Sequence, residues 1–225
     1  VAESIRASIL AVCRELVVQG LVSGTAGNVS ARDGDRLWIT PSGMAYAVLT
    51  ADDLVAAGPD GGIVAGRRRP SVELPMHLAC YAADEGVQAV VHTHPVHVMA
   101  LSMLGWPLPP VLDSIAGRFG GEVPVLDYAP SGSAELAAIV GRSAPEHPAM
   151  ILRQHGLVVT GKTLAEALDT TLLVERSAAA YLLARSAGEV APLPPEVVAE
   201  RRAFALTRYG QTIGEGTGRA DHSGP

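Results

Sequence analysis

Two histidines separated by one residue, His92 and His94, close the apolar run Val90-Val91-His92-Thr93-His94-Pro95. On a β-strand, residues i and i+2 point to the same face, so both imidazoles can be turned toward one metal ion. A second apolar run, Ile151-Leu152-Arg153-Gln154-His155-Gly156, also ends on a histidine, which makes His155 the candidate third ligand. Three neutral imidazoles with an open fourth position suit a catalytic zinc site. The competing explanation is a set of hydrogen-bonded core histidines, because a His-x-His pair alone is a weak motif in a chain with seven histidines. The setting adds weight to a metal, since an unpartnered polar ring at the end of a buried strand would be costly.

Three further stretches carry chemistry or mimic it. The glycine-rich Ser23-Gly24-Thr25-Ala26-Gly27-Asn28-Val29-Ser30 lets backbone N–H groups approach an anion, although a lead-in to a hairpin accounts for it nearly as well. Thr40-Pro41-Ser42-Gly43 repeats the small-hydroxyl-glycine pattern after the returning strand. Pro70-Ser71-Val72-Glu73 opens a helix with Ser71 as expected N-cap, where free N–H groups can hold phosphate and a first-turn carboxylate is favoured by the helix dipole. The plain reading of Glu73 is a surface residue complementing that dipole. His77 and His97 are read as structural. Cys13 and Cys80 fall on apolar helix faces and are read as buried, reduced thiols.

The elements that must position these residues follow from periodicity and punctuation. Ile5, Ile9, Val12 and Leu16 predict a helix over 3–19, and a hairpin turns at Asp33-Gly34. A short helix follows a capping box at Thr50, and a short strand lies near Ile63-Val64. Pro95 starts a helix through Met103; residues 105–132 read as a Pro- and Gly-rich connection with one strand near Val123 to Leu126. A helix from Ser133 to Arg142, two short strands on either side of His155, a long Ala/Leu-rich helix from Leu164 to about Arg185 capped by Thr163 and Glu166, and a last helix through Val198 and Phe204 complete the order.

The 225 residues suit one domain, taken as 1–213, with 214–225 a polar, Gly-rich tail expected to be disordered. A net charge of -6 gives no footprint for nucleic acid, and Arg67-Arg68-Arg69 reads as a solvated loop. Glu175 and Arg176 interrupt the longest apolar stretch, so no membrane span is expected. With no charged-then-apolar leader recognisable, cytoplasm is the expected compartment.

Taken in order, Gly27-Asn28-Val29-Ser30, Ser42-Gly43, Pro70-Ser71-Val72-Glu73, His92-Thr93-His94 and Gln154-His155-Gly156 resemble the class II aldolase/adducin family over roughly residues 3–210. The resemblance implies an α/β fold: a single domain with a central, mainly antiparallel sheet flanked by helices on both sides, assembled as a homotetramer with active sites between subunits. It implies that His92, His94 and His155 bind Zn2+, with Mn2+ or Co2+ as other occupants, and that Glu73 is the acid/base and also touches the metal. Gly27, Asn28, Ser42, Gly43 and Ser71 would hold the phosphate of a small phosphorylated sugar. The implied reaction is cleavage of a ketose 1-phosphate, such as fuculose 1-phosphate or a deoxy-pentulose phosphate, to dihydroxyacetone phosphate and an aldehyde through a metal-stabilised enediolate. Decarboxylation or 4-epimerisation of a sugar (acid) phosphate, or a non-catalytic assembly role as in adducin, are the alternatives on this scaffold.

Two departures stand out. Val72 replaces the second of two serines before the glutamate, removing a hydroxyl from the implied phosphate pocket. Val111-Leu112-Asp113-Ser114-Ile115 occupies the region where fuculose-phosphate aldolases carry a tyrosine reaching a neighbouring subunit, and Asp113 is the candidate to act there instead. Tyr209 matches the family's C-terminal tyrosine and is carried over as a cover of the active site.

Overall fold

Eight strands form one sheet in the order β4-β3-β2-β1-β5-β8-β7-β6, as described by a computed structural model for residues 2–208. The strands are β1 (Asn28–Asp33), β2 (Arg36–Ile39), β3 (Val55–Ala57), β4 (Ile63–Ala65), β5 (Ala89–Thr93), β6 (Val125–Leu126), β7 (Ala149–Leu152) and β8 (Gly156–Gly161). Every pairing is antiparallel except β6 with β7. The α-helices are α1 (Ala2–Val18), α2 (Leu74–Ala83), α3 (Val96–Leu104), α4 (Asp113–Phe119), α5 (Ala134–Ser143), α6 (Leu164–Ala187) and α7 (Pro195–Thr207).

The central strands are apolar without alternation because both faces of the sheet are covered. Val91, Val159, Ile151 and Val29 point into a core closed by α1, α3, α4 and α6. Their neighbours Val90, Val158 and Leu152 point the other way, into a core closed by α2 and α5. Val90, Val91, Val158 and Val159 are all fully buried, and each such side chain contributes roughly 1.5–3 kcal/mol relative to exposure. No helix among the described residues is long and apolar enough to cross a membrane. Cys13 and Cys80 are buried free thiols, pushed up to about 12 by burial.

Two local expectations are corrected. Helix α2 starts at Leu74, with Glu73 in the cap position rather than Ser71. The Ser71 N–H donates to the Thr40 carbonyl oxygen, and Ser71 Oγ accepts from the Glu73 N–H at 3.2 Å, so the chain at Ser71 stays tied to the strand side. Helix α4 lies inside the stretch read as a connection. It is short, contains Gly117 and has no side-chain cap, so its stability comes from burying Ile115 and from packing on α7, where Arg202 donates to the Gly117 carbonyl. The tail from Gly214 lies outside the described residues.

The β5–β8 register places Thr93 opposite Leu157. Continued one step, it sets His94 against Gly156, where the β7–β8 hairpin turns. A Cβ on Gly156 would strike the Thr93 carbonyl oxygen and stand 2.7 Å from His94 Cδ2. Gly156→Ala should therefore destabilise the fold by about 1–3 kcal/mol through overpacking, read as a lower midpoint in denaturant unfolding.

Candidate functional site

The three histidines converge. Their ring centroids lie 4.8 Å (His92 to His94), 4.8 Å (His92 to His155) and 5.1 Å (His94 to His155) apart, and one nitrogen from each falls within 4.8 Å of the others. Antiparallel pairing does this: β5 delivers His92 and His94 to the end of the sheet, and the hairpin after β7 returns His155 to the same place. The hairpin loop holds Gln154 at a φ of 53°, in the left-handed region usual for such loops.

Ring orientation is set by the backbone. His92 Nδ1 donates to the Leu157 carbonyl oxygen at 2.9 Å, which turns Nε2 toward His94 Nε2, 2.9 Å away. A carbonyl acceptor on the far nitrogen is the usual way a metal-binding imidazole is fixed. Burial first, and the neighbouring imidazoles second, push His94 and His155 down to about 4, so both are neutral near pH 7 and able to bind a cation. The donor set fits a divalent metal.

Glu73 enters from the N-terminal end of α2. Its Oε2 lies 3.0 Å from His92 Nε2 and its Oε1 lies 3.5 Å from His155 Nε2. Asn28 Nδ2 donates to Oε2 at 2.9 Å, and Ser131 Oγ donates to Oε1 at 3.0 Å. Burial works against the ionised carboxylate, but His92, by charge and hydrogen bond, together with Asn28 and His155, outweighs it and holds the carboxyl well below the usual range. A buried Glu with these partners is an anion facing the cluster, not a surface residue complementing a dipole.

The expected phosphate residues divide into two groups. Gly27 and Asn28 sit beside the cluster, because Asn28 pairs with His92 in the β1–β5 ladder. Gly27 has a φ of +80°, and a Cβ there would come within 2.8 Å of the His92 carbonyl oxygen, so only glycine fits. Ser42 and Gly43 are exposed and are brought to Ser71 by the Pro41–Pro70 bridge. Asn28 is more committed than its sequence setting suggests: its Oδ1 accepts from His77 while its amide holds Glu73.

Asp113 is not brought to this cluster within the described chain. Its side chain is 72% exposed on the first turn of α4, 4.0 Å from Arg201. Tyr209 lies outside the described residues.

Sequence reasoning missed Ser131 and Glu175. Ser131 lies in Pro130-Ser131-Gly132-Ser133, a third instance of the small-hydroxyl-glycine pattern, and that repetition was the available signal. Glu175, on α6, accepts from the His97 and Val98 N–H groups at 3.0 Å each and from His97 Nδ1 at 2.8 Å. It thereby caps α3, just after His94, in place of any local side chain. A cap supplied 77 residues away in sequence leaves no local trace.

The model of the class II aldolase and adducin N-terminal domain matches residues 7–182. The chain belongs to that family. It is 33% identical over 208 residues to the 5-deoxy-D-ribulose 1-phosphate aldolase of Bacillus thuringiensis serovar kurstaki, covering 92% of this chain and 97% of that protein. It is 36% identical over 185 residues to the L-fuculose phosphate aldolase of Haemophilus influenzae, covering 82% and 85%. The solved structure of an L-fuculose 1-phosphate aldolase superposes with a TM-score of 0.83 at 32% identity, covering 89% of this chain and 97% of that one. The chain is thus an enzyme of the class II aldolase type, a lyase, and metal dependence is general to the family.

Two outcomes follow from the geometry. Glu175→Ala should cost about 0.5–2 kcal/mol, the range for a lost helix cap, seen as a lower unfolding midpoint. Burial pushes His77 down to about 3 in the folded chain from an ordinary value of 6.5. The unfolded chain thus takes up that proton first, and stability should fall as pH drops from about 6.5 toward 3. Denaturant midpoints across that window, with His77→Gln as the control that flattens the slope, check this.

Proposed function

We propose that this chain is a zinc-dependent aldolase that cleaves a ketose 1-phosphate, of the fuculose or deoxy-pentulose kind, to dihydroxyacetone phosphate and an aldehyde. The observation that carries the reading is the ionised Glu73 carboxylate held 3.0 Å from one nitrogen of a three-imidazole cluster. That cluster also favours an enzyme over an assembly module, which has no use for converging ligands. The relatives named for fuculose and deoxyribulose phosphates support the substrate class.

His92, His94 and His155 would hold the cation, with Glu73 against it before substrate enters. A divalent ion there supplies positive charge to the anion left when the bond beside the ketone breaks. Glu73 takes the proton from the carbon next to the ketone in the condensation direction and returns it in cleavage. Ser131 and Asn28 hold one carboxylate oxygen each, so the base is aimed rather than free to rotate. Gly27, Ser42, Gly43 and Ser71 bind the phosphate mainly through N–H and hydroxyl donors, and Asn28 has a second amide hydrogen to offer. The exposed Val72 would contribute its N–H in place of the missing hydroxyl. Phosphate binding remote from the reacting bond positions the ketose.

In this reading Asp113 acts at the aldehyde oxygen in the site of a neighbouring subunit, and Tyr209 is a cover of the active site. A homotetramer is supported by apolar side chains left in solvent at the ends of α3 and α6, among them Met103, Leu104 and Leu183. Cytoplasm suits the two reduced thiols.

Incubating zinc-loaded protein with fuculose 1-phosphate and 5-deoxyribulose 1-phosphate should release dihydroxyacetone phosphate, and a chelator should stop it. Glu73→Gln should lower kcat by about 10²–10⁴-fold, while His155→Ala should empty the metal site by elemental analysis. Protein that retains zinc yet forms no dihydroxyacetone phosphate from either substrate would sink the reading.

A further inference from the structure

Behind Glu73 lies a buried polar seam between β1 and α2. From the strand come Asn28, Ser30 and Arg32, at a spacing of two; from the helix and its cap come Glu73, His77 and Tyr81, at a spacing of four. Two strand residues advance roughly 6.7 Å and four helical residues about 6.0 Å, so the two sets stay nearly in step. The β1–β5 register places Asn28 and Ser30 on the face shared by His92 and Val90, toward α2.

The contacts run as a chain. Tyr81 OH lies 2.8 Å from Ser30 Oγ, Ser30 Oγ lies 2.6 Å from His77 Nδ1, His77 Nε2 lies 2.5 Å from Asn28 Oδ1, and Asn28 Nδ2 lies 2.9 Å from Glu73 Oε2. Arg32 covers the outer end, its guanidinium 5.0 Å from the Tyr81 ring centre and donating to the Tyr81 carbonyl at 2.9 Å. Asn28, Ser30, His77 and Tyr81 are all buried.

Only one arrangement of protons satisfies every atom. The Glu73 carboxylate only accepts, so the Asn28 NH2 group faces it and Oδ1 faces His77. An amide oxygen only accepts, so His77 carries its proton on Nε2. Its Nδ1 then accepts from Ser30, whose oxygen accepts from Tyr81. Each donor points toward Glu73. Reversing any one bond leaves two acceptors or two donors opposed in a dry interior, at a cost comparable to a lost buried hydrogen bond.

We infer that His77 is a positioning residue: by donating from Nε2 to Asn28 Oδ1, it locks the amide so that its NH2 group holds Glu73 Oε2 against the imidazole cluster. The hydrogen bonds of the His77 ring go to Ser30 and Asn28 rather than to the three histidines, so it acts through Asn28. This deepens the proposed function, because it concerns the aim of the carboxylate assigned there as acid/base.

The first test needs no activity. In 15N-histidine-labelled wild-type protein near pH 7, with and without zinc, His77 should be the neutral Nε2–H tautomer, its signal identified by its loss in His77→Leu. An Nδ1–H tautomer would overturn the inference even if no variant folded. The Asn28 side-chain NH2 resonances should be well dispersed in the wild type and in His77→Gln, which keeps a donor at this position, and should collapse in His77→Leu. Dispersion unchanged in His77→Leu would also overturn it.

The second test reads turnover of whichever ketose phosphate is cleaved. His77→Leu should lower kcat by about 10–100-fold, the range typical of groups that orient a site from behind, with KM changed less, and His77→Gln should recover most of the loss. In an Asn28→Ala background, His77→Leu should cost little more. Equal losses with and without Asn28 would reduce His77 to packing and overturn the role. If no ketose phosphate is cleaved, the proposed function fails while the tautomer and amide signals still decide the relay.

Discussion

The antiparallel pairing of β5 with β8 is the constraint on which the site depends. It sets Thr93 opposite Leu157 and aims the His92 ring by a hydrogen bond to the Leu157 carbonyl. A slip of one residue would turn His92 to the opposite face, away from α2 and Glu73. The apolar faces forbid that slip: Val90 and Val158 fill one core, Val91 and Val159 the other, and the hairpin can come this close only because Gly156 has no side chain. Ligand geometry is thus inherited from valine packing.

The second constraint is electrostatic. A carboxylate as buried as Glu73 would be costly without partners. It receives imidazoles from β5 and the β7–β8 hairpin, an amide from β1 and a hydroxyl from the loop before α5. The same burial keeps His94 and His155 neutral. Low polarity therefore produces the two opposite states that the chemistry needs, an ionised acid and uncharged bases, and specific partners decide which group keeps its charge.

Support for this arrangement comes from elements that do not touch it. Glu175 caps α3 from α6, and Arg118 on α4 pairs with Glu166 at the start of α6, 2.9 Å apart. Glu166 also accepts from the Lys162 N–H, while Thr163 Oγ1 accepts from the Glu166 N–H. The start of α6 is thus tied both to its own turn and to α4, the helix that carries Asp113.

The sequence by itself determined most strands, most helices and the candidate ligands, because these depend on spacing along the chain: period two for His92 and His94, period near four for α1, apolar runs ending in His92 and His155. It also marked Glu73, though not whether that carboxylate was a surface group or a buried anion. Only the tertiary structure brought the three imidazoles to one point, since their convergence depends on strand register. It alone revealed α4, which owes its existence to packing, and it placed Ser131 and Glu175 by contacts between residues far apart in the chain. His77 shows the division most clearly. Its position four residues after Glu73 was legible, but its role required β1 to lie alongside α2, because a hydrogen bond needs a partner in space and the sequence records only neighbours along the chain.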